Sequence, residues 1–250
     1  SKLNQMIISK KKEMSSRMVS RQQQLRWLQE GRGQGQLDTY KPFLNVRDNK
    51  SLTERSSRVY GYKTQRTHHL FSDLELALFL ALDRIQDIED IREQIPLDLE
   101  NTVQIAEDLK IPHPIEKNVH QILTSTFFIV NHSPLKPPCF VVKALKSIHL
   151  DQKRTIAQLE LERRYWEQKN IPWFLFTEKD ISSTAIDNIK WLYPLNKVNN
   201  DIYTFSKMDF YQNYFLQKPE LTLIELSKYL DTHYSMEAGA SLLEIRELLA

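Results

Sequence analysis

Glu75, Lys143 and Glu162 are candidate residues for the hydrolysis of a phosphodiester with the help of a divalent metal. This chemistry needs oxygen ligands for the metal, usually carboxylates, and a lysine that orients or activates water and stabilises developing charge. Each residue also has a simpler role when it is considered alone. Glu75 fits a helix-capping position, Lys143 ends an apolar strand where lysine often reaches solvent, and Glu162 has basic neighbours on its helix. The residue types alone therefore leave both roles open.

The segments that carry these residues predict an α/β arrangement. Ser72 and Glu75 form a capping-box pattern before the apolar run 76–82, which predicts a helix buried on all sides. Regular structure is predicted to begin near Phe71. A short segment bounded by proline predicts a strand at 88–96, and apolar segments predict strands at 127–130, 140–143 and 173–176. A strongly charged helix is predicted at 150–169. A strand, a helix and a strand of these lengths predict a parallel pair with a right-handed crossover.

The sequence changes in character after Thr177, where amphipathic helices replace the apolar strands. Four helices are predicted, at 184–193, 205–216, 221–230 and 236–249, and the last two resemble a helix-turn-helix. We therefore predict three parts: a basic N-terminal arm over 1–30, an α/β domain over 31–177 and a helical domain over 178–250.

Positive charge is concentrated at the N-terminal end. Residues 1–66 contain 15 basic and 5 acidic residues, although the net charge of the whole chain is only +2. This asymmetry favours a polyanionic partner, and the alternative is a solvated, partly disordered arm. The single cysteine excludes an intrachain disulfide framework and a cysteine-rich zinc site. No apolar run approaches the ~20 residues of a membrane span and no signal peptide is visible, so a cytoplasmic location without a membrane partner is predicted.

Several long strings of the sequence are distinctive. The first is Glu30-Gly31-Arg32-Gly33-Gln34-Gly35, whose glycines predict either a sharp turn that approaches another group closely or a flexible linker. The others cover residues 67–76, 90–94 and 159–174. Together these strings resemble the TnsA family, and the resemblance includes most of 30–193. TnsA is the endonuclease subunit of heteromeric cut-and-paste transposons, including CRISPR-associated ones. The resemblance implies a restriction-endonuclease-like nuclease core followed by a winged-helix-like C-terminal domain.

The resemblance also implies a site for Mg²⁺ or Mn²⁺. Glu75, Lys143 and Glu162 match catalytic residues of the family, and the metal ligands would be Glu75 and the backbone carbonyl of Val142. Two positions depart from the family pattern: Val141 stands at a glutamine position, and Phe127 replaces an aspartate in the string Ser-Thr-Asp-Phe. Phenylalanine offers no oxygen to a hard cation, so metal binding is predicted to be weak or absent.

Strand geometry predicts where the replacement lies. Alternation along the strand places Phe127 and Phe128 on opposite faces of the sheet. We therefore expect Phe127 to project between Glu75 and Lys143, which should face one cleft.

The resemblance implies a role at transposon ends, where TnsA cuts the 5′ strands, the TnsB transposase cuts and joins the 3′ strands, and the TnsC ATPase contacts the C-terminal part of TnsA. Two hypotheses follow: a working Mg²⁺-dependent nuclease that tolerates Phe127, and a silent scaffold that binds end DNA, TnsB and TnsC. A free-standing restriction-like nuclease is disfavoured because the resemblance extends into the C-terminal helices. A β wing is expected beyond Ala250, in a longer natural chain. The predicted DNA contacts are Lys10, Lys11, Lys12, Arg32, Arg66 and His68.

Overall fold

A four-stranded sheet is the centre of the N-terminal part of the chain. The computed structural model describes residues 20–48, 55–116, 118–193 and 202–249. Its strands are β3 (Ile88–Pro96), β6 (Thr124–Asn131), β7 (Cys139–Ala144) and β8 (Trp173–Phe176). They lie in the order β3-β6-β7-β8, in which β3 pairs antiparallel with β6, β6 antiparallel with β7, and β7 parallel with β8. The predicted strands and the parallel pair are confirmed, and so is the mixed α/β class.

Two helices cover opposite faces of this sheet. Phe127 of β6 meets Phe79 of α2 (Asp73–Asp83), with ring centroids 6.4 Å apart. On the other face, Phe128 meets Trp166 of α4 (Lys153–Gln168) at 5.7 Å, where Val141 is also buried. The predicted alternation of Phe127 and Phe128 is therefore confirmed, and each face has its own apolar core.

The structure contains one of the two hydrogen bonds of the capping box that was predicted at the start of helix α2. The Ser72 hydroxyl accepts a hydrogen bond from the backbone N–H of Glu75 at 3.1 Å. The Glu75 carboxylate, however, accepts from the backbone N–H of Phe71 at 2.7 Å, one residue before the cap. The helix is buried on nearly all sides, as its apolar run predicts.

Regular structure begins well before Phe71, so that prediction was wrong. Helix α1 (Arg21–Gln29) starts at the cap Ser20 and packs through Trp27, whose ring meets Phe43 edge-on at 5.5 Å. Because α1 is folded against the domain, the predicted arm cannot include it; residues 1–19 lie outside the described residues. A hairpin of β1 (Ser57–Gly61) and β2 (Arg66–Leu70) follows.

The glycine-rich string is a tight turn and not a flexible linker. Gly33 has φ of +80°, and a Cβ there would lie 2.3 Å from Pro96 Cγ at the end of β3. Gly35 has φ of +92°, and a Cβ there would meet the carbonyl oxygen of Thr39 at 2.6 Å. Only glycine permits both the backbone conformation and the approach. The turn therefore docks α1 against the edge of the sheet.

One more helix in this region was not predicted from the sequence. Helix α3 (Leu99–Asp108) begins at Asp98, whose carboxylate accepts from the backbone N–H of Asn101 at 2.9 Å. A short hairpin, β4 (Ile115–Glu116) with β5 (Val119–His120), lies between α3 and β6.

The C-terminal unit is helical in the part of it that the structure describes. The chain divides into two compact units after Ser182. The second unit has its own core of Tyr211, Leu226, Leu230 and Ile245. Its helices are α5 (Ser183–Leu192), α6 (Ile202–Gln217), α7 (Leu223–His233) and α8 (Ala240–Leu249). Throughout the described ranges, none of the helices is both long and apolar enough to cross a bilayer.

Candidate active site

Glu75 and Lys143 line one cavity of about 280 Å³, which we call the Glu75–Lys143 cavity. Helix α2 supplies Glu75 from its first turn, and strand β7 supplies Lys143 near its end. The structure thus brings together the two residues that were expected to face one cleft. Polar residues from other segments complete the lining, among them Asn45, Asp48, Gln94, Thr124, Thr126 and Gln158.

The buried carboxylate of Glu162 on α4 forms an ion pair with Lys143 and hydrogen bonds with two further side chains. One carboxylate oxygen, Oε1, accepts from the Ser125 hydroxyl at 2.6 Å and from Trp173 Nε1 at 3.1 Å. The other, Oε2, lies 3.1 Å from Lys143 Nζ. Glu162 therefore pairs with a lysine of the sheet and not with its helix neighbour Arg163, which pairs with Glu160 instead. Both carboxylate oxygens of Glu162 are engaged within the protein.

Lys143 also forms a hydrogen bond with the protein backbone. Its Nζ donates to the carbonyl oxygen of Thr124 at 2.8 Å, and its side chain is only partly exposed. The Ser125 hydroxyl, besides donating to Glu162, accepts from Trp166 Nε1 at 2.8 Å. Lys143 and Glu162 were predicted from the sequence, whereas Ser125 and Trp173 were not, because these contacts join four separate elements. Such a network cannot be predicted from a local sequence pattern, because its members lie far apart in the sequence.

Phe127 does not line the Glu75–Lys143 cavity. Its side chain has 0% exposure and packs under α2 against Phe79. The expectation that Phe127 projects into the cleft of Glu75 and Lys143 was therefore wrong, although it lies on the α2 side of the sheet, as Glu75 does. An aromatic ring gains most by complete burial, and the apolar face of α2 provides that burial.

The side chains present do not fit a divalent-metal site. The carboxylates on the cavity are Glu75 and Asp48, and Asp48 is paired with Arg32. Mg²⁺ demands a nearly octahedral set of oxygens, and Ca²⁺-like cations take more. Within the described ranges, no three residues among histidine, cysteine, aspartate and glutamate lie close enough together to hold an ion. The expected ligand Val142 offers a carbonyl only, and Phe127 removes the one further carboxylate that the family resemblance would supply.

Two of the predicted DNA contacts, Arg66 and His68, are buried and bind Glu93. The Arg66 guanidinium makes bonds of 2.8 Å and 2.6 Å to the two Glu93 oxygens, and His68 Nδ1 lies 2.7 Å from one of them. Burial by itself would raise the pKa of Glu93, but the ion pairs and hydrogen bonds with His68 and Arg66 hold that pKa far below its ordinary range. These two side chains join the hairpin to β3 and are not available to DNA phosphate. This corrects the prediction.

A third predicted contact, Arg32, is also used within the protein. Its Nη1 donates to the carbonyl oxygen of Phe43 at 3.2 Å and pairs with Asp48, while its guanidinium lies 4.4 Å from the centre of the Trp27 ring. Arg32 therefore fastens the glycine-rich turn, which again differs from the predicted DNA contact. The other three, Lys10, Lys11 and Lys12, lie outside the described residues.

Comparison with known proteins gives concordant results. A family model described as "TnsA-like endonuclease N terminal" matches residues 86–178, and one described as "TnsA endonuclease C terminal" matches residues 180–250. The "Transposon Tn7 transposition protein TnsA" of Escherichia coli is 40% identical over 226 residues, which are 90% of this chain and 82% of that protein.

Proposed function

The chain belongs to the TnsA family of transposition endonuclease subunits, and from that premise we propose that it binds transposon-end DNA in a Tn7-type complex without cutting the 5′ strand. The observation that carries this proposal is the complete burial of Phe127 against Phe79, at the position where the family resemblance implies an aspartate. The subunit then acts as a scaffold while a partner performs strand cleavage.

The contacts of the neighbouring residues support a silent site. Glu162 can supply no uncommitted oxygen because it binds Ser125, Trp173 and Lys143. The charge of Lys143 is in turn neutralised by Glu162, at 3.1 Å. A lysine held in this way stabilises the junction of β7 and α4 rather than a developing charge in the cavity.

Cleavage of the 5′ strand with Mg²⁺ or Mn²⁺ is the second candidate function. It is favoured by the shared cavity of Glu75 and Lys143, which also contains Thr124 and Thr126. Hydroxyl and carbonyl oxygens of this lining would have to replace the missing carboxylate.

Strand-specific products distinguish the two functions. In a reaction with a donor plasmid, millimolar Mg²⁺ and the TnsB and TnsC partners of the element, we expect 3′ breaks only, and therefore cointegrates in which the donor stays attached. Sequencing of both strands at the ends measures this. Breaks at the 5′ strand that disappear in Glu75→Ala, but persist in the exposed control Glu89→Ala, would establish cleavage by this subunit and reject the silent site.

Further assignments belong to the same proposal. We assign the N-terminal unit, including helix α1, to a restriction-endonuclease-like core, supported by the sheet order and by a helix on each face of the sheet. We assign the C-terminal unit to a winged-helix-like domain, supported by the helix pair α7 and α8. A cytoplasmic location and DNA contacts by Lys10, Lys11 and Lys12 also remain proposals.

The C-terminal unit is proposed to bind the TnsC or TnsB partner and not DNA. Residues 183–250 contain six basic and nine acidic residues, which disfavours a polyanion. The same unit exposes large apolar side chains, with Leu216 exposed to 72% and Ile224 to 56%. Exposed apolar groups of this size are typical of protein-binding surfaces when they cluster.

A fragment of residues 183–250 tests this assignment, since the unit has its own core. We expect it to bind a TnsC or TnsB partner in a pull-down assay and to leave duplex DNA unshifted. Leu216→Asp with Ile224→Asp should weaken partner binding, whereas exposed Lys190→Ala should not. Tight duplex binding by the fragment would reverse the assignment.

A further inference from the structure

The outer face of the β1–β2 hairpin forms one side of a groove of about 590 Å³. Alternation along the strands turns two cross-strand pairs outward, Arg58 with His69 and Tyr60 with Thr67, while the residues between them face the core. The 3₁₀ turn Val46–Asp48 and the residue before it form the other side. We call this the hairpin groove, and its lining is Asn45, Arg47, Arg58, Tyr60, Thr67 and His69.

The hairpin groove is cationic and has no acidic residue in its lining. Arg47 and Arg58 are both exposed, and neither has an ion-pair partner among the described residues. They contrast with Arg32 and Arg66, which are both held by carboxylates. A guanidinium presents several N–H donors in a planar fork that matches the oxygens of a phosphate.

The neutral polar groups of the groove also present donors. The side-chain oxygen of Asn45 accepts from the backbone N–H of Arg47 at 3.0 Å and of Asp48 at 3.2 Å, so its amide NH₂ is the remaining polar group. His69 Nδ1 accepts from the backbone N–H of Val46 at 3.3 Å, so Nε2 carries the proton of the neutral ring. Burial is the largest cause that lowers the pKa of His69, with Glu93 opposing it and Arg58 adding to it. The ring is therefore a neutral donor at physiological pH.

We propose that the hairpin groove binds the phosphodiester backbone of duplex DNA and directs it towards the Glu75–Lys143 cavity. Asn45 lines both the groove and that cavity, so the two lie next to each other within the N-terminal unit. The hairpin that carries Arg58 is fixed to the sheet by the buried bonds of Arg66 and His68 to Glu93. A donor set on such a rigid support is preorganised for a ligand. The inference rests on the proposed function, in that the chain must engage DNA.

The test compares full-length variants in duplex-DNA binding, measured by fluorescence anisotropy over a series of salt concentrations. Arg47→Ala with Arg58→Ala should lower the affinity roughly tenfold at low salt and should reduce the slope of log K against log salt by about 2. Thr67→Glu places a carboxylate in the groove and should also weaken binding. Lys190→Ala with Lys228→Ala removes the same charge from exposed positions of the C-terminal unit and should leave both quantities unchanged.

The outcomes separate this inference from the proposal on which it rests. If the unmodified chain fails to bind duplex DNA, the proposed function fails and the groove assignment fails with it. If the unmodified chain binds and the double arginine variant keeps its affinity and salt slope, only the groove is overturned. An equal loss in the Lys190 and Lys228 control overturns it too, because attraction is then a property of overall charge. Matching thermal melts show that each variant is folded.

Discussion

Glu93→Ala is expected to lower the free energy of unfolding of the N-terminal unit by about 3–5 kcal/mol. Glu93 is fully buried and accepts from Arg66, from His68 and from the backbone N–H of His69. Its removal leaves the Arg66 guanidinium buried without a counter-charge and leaves the His68 ring without its acid partner. The hairpin that carries Arg58 loses its attachment to β3 as a result.

Urea unfolding with matched variants measures this effect. Glu93→Gln keeps the shape and one acceptor but removes the charge, so it should lose part of the stability. Glu89→Ala, exposed on the same strand, should change it by no more than about 0.5 kcal/mol. If Glu93→Ala matched the Glu89→Ala control, the buried cluster would contribute no net stability and its role would be specificity alone.

The pH dependence of stability follows from the same cluster. Burial alone would raise the pKa of Glu93, but His68 and Arg66 lower it well below the ordinary value. The stabilisation by Glu93 is therefore complete above the unfolded-state pKa of about 4.3 and is lost as the pH falls towards the lower folded-state pKa. The unmodified protein should lose stability more steeply than Glu93→Ala below about pH 4.

The sheet and its covering helices could be predicted because their signals are local. Strand β8 is four apolar residues, and α2 has an unbroken apolar run after a capping serine. The hairpin β1–β2 has no such signal. Its inward positions include Gly61, Arg66 and His68. The polar side chains of Arg66 and His68 can be buried only because Glu93 binds both of them from a strand more than 20 positions later in the sequence.

At the candidate site, too, local features could be predicted from the sequence, whereas contacts between distant residues could not. Glu75, Lys143 and Glu162 could be named from a family resemblance, but the bond between Lys143 and Glu162 joins a strand to a helix. Alternation correctly gave the face on which Phe127 lies. It could not give exposure, because the depth of a side chain under α2 depends on tertiary packing and not on the period of the strand.

Phe127→Asp is expected to create a metal site by placing a carboxylate at the position where the family resemblance implies an aspartate. Glu75 and Phe79 are four residues apart, so they lie on one side of α2, and Phe127 meets Phe79. A carboxylate at position 127 would therefore lie on the same side of the sheet as Glu75. Two carboxylates on facing elements, with the Val142 carbonyl at the position paired with 127, form an oxygen set suited to Mg²⁺.

Phe127→Asp also destabilises the folded protein, and this loss has to be measured separately from the stabilisation by bound Mg²⁺. Loss of a fully buried phenylalanine costs about 3–5 kcal/mol, and repulsion between Glu75 and the new carboxylate adds to that cost without metal. Phe127→Asn is the matched control, because it leaves nearly the same void without the charge. Both variants should melt below the unmodified protein in the presence of a chelator.

Addition of Mg²⁺ should then change the stability of the two variants to different extents. Mg²⁺ at about a hundred times its Kd stabilises the folded state by about 2.7 kcal/mol, so Phe127→Asp should recover much of its lost stability while Phe127→Asn and the unmodified protein should not. The same Mg²⁺ should yield 5′ breaks with Phe127→Asp in the donor-plasmid reaction, and Glu75→Ala in that background should abolish them. If Phe127→Asp and Phe127→Asn melt alike with Mg²⁺ and cut alike, more than one ligand is missing, and the pairing of Lys143 with Glu162 is then the next barrier to relieve.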